Sequence, residues 1–163
     1  MLCKIDNYLR TISRLSGFIA AFFLILVATF ILTGIASRIF GFYIRGLAEY
    51  SGYSMAASSF LALAYTFGEK GHIRITLFLE KSKENIRKLL ELWGLLVTTF
   101  FSGFLSYYFI KMLIISIIFG ERSEGADEIL IWIPQLSVAI GSTIFFICVL
   151  HNFILLIFKK NYL

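Results

Sequence analysis

Four stretches of the chain are nearly free of charge, and short polar connections separate them. They run over about 15–36, 50–67, 89–119 and 131–158. A helix rises about 1.5 Å per residue and crosses the ~30 Å hydrocarbon core of a bilayer in about 20 residues, so each block reads as a span. The second is the shortest, about 27 Å as a helix, and is built from small residues such as Ser54, Ala57, Ser58 and Ala64. The third, about 46 Å, has length to tilt, which lets Lys111 snorkel to an interface at its exit end. Pro134 falls in the first turn of the fourth, where a missing N–H costs nothing. The pattern predicts an all-α integral membrane protein, one four-span domain over residues 1–163.

Between the second and third blocks, Ile73, Ile75, Leu77, Phe78 and Leu79 are too few to cross again, and a run of charge follows them. Residues 73–81 are therefore expected to lie flat as an amphipathic interfacial segment, with Arg74, Glu80 and Lys81 toward water or lipid headgroups. Each nearby basic residue adds about 1 kcal/mol of attraction to anionic lipid. Ser82 is placed to cap the next helix, and His72 reads as a polar residue at a helix start.

Orientation follows from where lysine and arginine fall. Eleven of the 15 lie before the first block, in the central connection and after the fourth, against Arg38, Arg45 and Arg122 on the opposite side. The basic side is cytoplasmic, so both termini are expected there. The first block follows Lys4, Arg10 and Arg14, but its length exceeds the ~7–15 apolar residues of a cleavable signal, which predicts an uncleaved anchor.

The composition agrees: 59% of the 163 residues are hydrophobic, against roughly 45–50% in soluble domains. The net charge of +5 does not indicate nucleic acid, because the basic residues flank apolar blocks instead of lining a soluble face. Cys3 and Cys148 form no disulfide framework or metal spacing. Two histidines, His72 and His151, make a poor ligand set, and no cofactor is expected.

Transport chemistry usually leaves ionisable groups inside the membrane. The first block has none from Leu15 to Ser37, the second none between Glu49 and Glu69, and the fourth only His151. What the blocks offer is packing. Gly94, Thr98, Ser102 and Ser106 recur every fourth residue, and Ser137 and Gly141 repeat that spacing, as small residues do where helices approach closely. Arg45 and Glu49, four apart, are expected to pair at the start of the second helix, and Arg38 to meet helix-end carbonyls or headgroups.

The order of these features resembles a known family. A basic N-terminus leads to "RIFGF" after the first span, "EY" opens a small-residue second span, "FLALAYTFGEKGHIRITLFLE" forms the inner turn, and "IWIPQLSVAIG" opens the fourth. The chain is similar to the small membrane subunit of tripartite ATP-independent periplasmic (TRAP) transporters, the DctQ-like proteins. Matching positions are Arg38, Glu49, His72, Arg87, Trp132, Pro134, Gln135 and Gly141; Ala62 stands where the family usually has glycine.

The resemblance implies a multi-pass protein of the bacterial inner membrane, partnered by a large multi-span subunit and a periplasmic substrate-binding protein. The large subunit would hold the substrate and sodium sites. This chain would be a non-catalytic scaffold for the uptake of organic acids such as dicarboxylates, sialic acid or other sugar acids. Membrane lipids are the remaining partners. Other classes fit less well: a small proton-coupled exporter wants a membrane carboxylate and a haem anchor wants paired histidines. The alternatives are a stand-alone structural tetraspan protein or a small exporter, and after them a haem-bearing membrane anchor.

Overall fold

The computed structural model of the chain describes residues 2–68, 84–125 and 128–158. Four helices fill them: α1 (Leu2–Ile39), α2 (Leu47–Gly68), α3 (Glu84–Phe119) and α4 (Trp132–Phe158). The all-helical expectation holds; α1, α2 and α3 extend past their apolar blocks, and α4 coincides with its own. Backbone hydrogen bonding does not stop where hydropathy falls, so α1 continues through its basic N-terminal segment and α3 begins among charged residues. The interfacial segment 73–81, with His72, Arg74 and Ser82, lies outside the described residues.

The helices stand in the order α1, α2, α4, α3. α2 packs against α1 on one side and α4 on the other, α3 packs on the far side of α4, and α1 touches α4 only slightly. Pairings along α1 and α2 run in opposite directions: Gly34 meets Leu47, Phe30 meets Tyr50, Ser58 bonds the Ala20 carbonyl and Gly68 meets Ser13. α3 and α4 are antiparallel in the same way, whereas α2 and α4 are parallel, with Phe60 against Gly141 and Phe67 against Phe145.

Burial along α1 explains the long seam. Its covered positions, among them Ser13, Ser16, Ala20, Val27, Gly34 and Ser37, recur at alternating spacings of three and four. That is the heptad repeat, whose period of 3.5 keeps one stripe of a helix against a supercoiling neighbour. α3 presents the same alternation through Leu95, Thr99, Ser102, Ser106, Phe109, Leu113 and Ser116.

Among the described residues, nine serines are buried, against eight apolar residues of which the largest are leucine and valine. The large side chains point outward instead, including Phe18, Phe22, Trp93, Phe100 and Ile118. This inverts a soluble core. In lipid no hydrophobic force drives helices together, and small residues that allow backbones to approach take over the interfaces.

The C-terminal ends of α1 and α3 close in the same way. Gly41, at φ +76°, follows α1 and the Phe42 N–H reaches back to the Ser37 carbonyl; Gly120, at φ +59°, follows α3 and the Glu121 N–H reaches Ser116. These are Schellman closures, which need a left-handed residue that glycine adopts without strain. The connection from α3 to α4 then folds on itself through an isolated antiparallel bridge, Arg122 to Leu130.

Among the described residues, three helices are long and apolar enough to cross a membrane: Asn7–Ile39, Leu89–Phe119 and Trp132–Ile157. α2 is not among them. Its serines and alanines lower its hydropathy, yet the same residues, Ser54, Ala57, Ser58 and Ala64, are the ones its neighbours cover.

Candidate functional site: the helix seams and the outer turns

A buried hydroxyl needs a partner, because an unbonded one costs on the order of 1–3 kcal/mol. Most here bond back to their own helix: Ser16 donates to the Ser13 carbonyl, Ser102 to Thr99 and Ser142 to Ala139. They need nothing from a neighbour, so the helix surface they leave is smooth and small. A few hydroxyls do cross between helices. Ser58 Oγ donates to the Ala20 carbonyl at 3.0 Å, Ser106 and Thr143 share a hydrogen at 3.0 Å, and Ser13 lies 3.3 Å from Cys148 Sγ.

Glycines mark the tightest places. A Cβ on Gly141 would stand 2.7 Å from the Phe60 carbonyl carbon, and one on Gly17 or Gly103 would press into the Tyr65 or Phe146 ring. Only the first meets backbone, so α2 and α4 are in main-chain contact there. Phe60 in turn stacks edge-on against Phe109 at 5.1 Å, linking α2 to α3 across the α4 seam.

The fourfold-spaced ridge of α3 is divided by the structure. Ser102 and Ser106 are buried, Thr98 is half-buried, and Gly94 is exposed with open space where a side chain would go. A step of four residues overshoots a full turn by about 40°, so three steps carry the ridge about 120° round the helix. The seam follows the three-four alternation, and Gly94 leaves it for the outer flank.

In α4, Gly141 is buried, Trp132, Pro134 and Gln135 lie half-covered in the first turn, and Pro134 sits where no N–H is needed. Gln135 Oε1 is shut from solvent with no hydrogen-bond donor among the described residues. Arg87 falls in the first turn of α3. Glu49 occupies the first turn of α2 and Arg38 the last turn of α1, each of the sign that its helix end favours.

The helical spacing expected to bring Arg45 to Glu49 is absent: Arg45 precedes Gly46, whose φ of +82° comes before the start of α2 at Leu47, so the two do not share a helical face. Beside Arg38, the carbonyls of Ala36, Ser37 and Arg38 accept backbone N–H groups from Phe40, Phe42 and Gly41.

Three features were not anticipated. Glu91 stands inside the third apolar block near its N-terminal end, with Oε1 buried. Ser116, fully buried, donates to Glu121 Oε2 at 2.7 Å. Tyr53 Oη and Ser123 Oγ share a hydrogen bond of 2.8 Å, which ties the connection from α3 to α4 to α2. No group of three or more metal-ligating side chains occurs among the described residues.

An outward-facing apolar surface over seams of serine, glycine and alanine defines a multi-helix membrane protein. The family model for the DctQ component of tripartite ATP-independent periplasmic transporters matches residues 26–159, and the chain belongs to that family. That match takes in all of α2, α3 and α4 and the C-terminal third of α1, and makes the chain a TRAP transporter component. No curated protein and no solved structure matches the chain significantly.

Proposed function

We propose that the chain is the non-catalytic bracing subunit of a sodium-coupled TRAP transporter for organic acids, such as dicarboxylates, sialic acid or other sugar acids. It sits in the bacterial inner membrane with both termini cytoplasmic, beside a large multi-span subunit that carries the substrate and a periplasmic binding protein that delivers it.

One observation carries the reading: the interfaces between these helices are made from serine, glycine and alanine in direct contact, down to main chain against main chain at Gly141 and Phe60. Tightly packed cores have discrete arrangements and do not deform continuously. A set of helices joined so closely suits a fixed frame against which a neighbour moves. α2 is the fourth crossing in this proposal: Ser54 and Ser58 are covered by its neighbours, and the exposed Ser59 and Thr66 bond back to carbonyls of their own helix.

Reconstitution tests the division of labour. Vesicles holding this chain with its large partner should take up an organic acid when binding protein and a sodium gradient are supplied, and vesicles holding the chain alone should not. Uptake by the chain alone would refute the bracing role.

A further inference from the structure

The connection from α1 to α2 carries strongly exposed apolar side chains. Phe40 is 77% exposed and Tyr43 73%, with Ile39 and Phe42 beside them. The turn is short and shaped: Gly41 reverses the chain out of α1 and Gly46, at φ +82°, starts α2. Arg38 and Arg45 flank it, both exposed. The carbonyls of Ala36, Ser37 and Arg38 accept backbone N–H groups within the turn.

Placed in water, these rings would leave a hydrophobic patch at a cost of about 25 cal/mol per Å². Exposed Ile31, Leu32 and Ile35 on the last turns of α1 continue the patch into the span. The turn therefore sits at the membrane boundary, where aromatic side chains settle at headgroup depth and the planar guanidinium suits a phosphate oxygen. Two of the three arginines on the side otherwise poor in basic residues are gathered here.

We infer that residues 38–45 form a lipid clamp, with Phe40, Phe42 and Tyr43 dipping into the outer leaflet while Arg38 and Arg45 bind phospholipid phosphates. The occupant is a bilayer lipid. The clamp fixes the outer end of α1, and it rests on the reading of α1 as a membrane crossing.

The test uses the full chain in nanodiscs of phosphatidylglycerol and phosphatidylcholine, with Trp93 and Trp132 replaced by phenylalanine and a single reporter, Tyr43→Trp. Its emission should be blue-shifted and quenched more by lipids brominated near the headgroup than by those brominated deep in the chain. Arg38→Gln with Arg45→Gln should shift emission to the red and weaken that quenching. Native mass spectrometry of the otherwise unaltered chain should show fewer retained phospholipids when the two arginines are replaced.

Quenching by aqueous iodide with none by bromolipid would overturn the clamp. So would bromolipid quenching that disappears when the large subunit is present, which would make the turn a subunit contact. An Ile25→Trp control separates the two levels: absence of deep-bromine quenching there would remove the crossing itself.

Discussion

Gly141 and Gly94 are the same residue type in two opposite situations. At Gly141 an added methyl meets the Phe60 backbone at 2.7–2.9 Å, whereas at Gly94 it meets nothing within 4 Å. Gly141→Ala should force α2 and α4 apart and destabilise by about 1–3 kcal/mol, the usual cost of overpacking. Gly94→Ala should be neutral, or stabilising by up to about 1 kcal/mol through helix propensity. Thermal unfolding in detergent compares the two, and equal midpoints would show that the seam is looser than described. Ser116→Ala should cost about 1 kcal/mol by the loss of one hydrogen bond, since the exposed Glu121 carboxylate can turn to water.

Between helices, the connections also carry structure. The loop from α3 to α4 is held by the Arg122–Leu130 bridge, by the Ser123 N–H to the Ile129 carbonyl at 2.7 Å, and by Tyr53. Tyr53→Phe should raise amide hydrogen exchange around 121–131 while leaving the helices protected; unchanged exchange would mean the hydroxyl contact holds nothing. The helices themselves were legible because apolar length is printed in the sequence and tolerates errors of a turn. Which residues face inward was only partly so. The spacing of Ser102 and Ser106 pointed to the seam, but a fourfold rule drew in Gly94, when the three-four alternation from Leu95 to Ser116 was equally open to reading. The bridge and the Tyr53–Ser123 contact left no periodic trace, since they depend on backbone hydrogen bonds and on residues 70 apart.

At the scale of the molecule, the row α1, α2, α4, α3 leaves α1 and α3 as the two flanks. Gly94 lies on the outer surface of α3, among exposed Leu90, Trp93 and Leu96. If that flank docks to the large subunit, Gly94→Leu should reduce co-purification of the two subunits without shifting the unfolding midpoint of this chain; unaltered co-purification would assign the flank to lipid.

The bracing claim itself requires that the four helices keep their places while the transporter works. Ser13→Cys would face the native Cys148 across 3.3 Å, and Ser106→Cys with Thr143→Cys would replace a 3.0 Å hydroxyl pair. Oxidising both pairs, in a Cys3→Ser background, ties α1 and α3 to α4. The decisive measurement is sodium-driven uptake by the assembled transporter before oxidation, after it, and after reduction. A static frame predicts the same rate in all three states, and uptake that stops on oxidation and returns on reduction would contradict it.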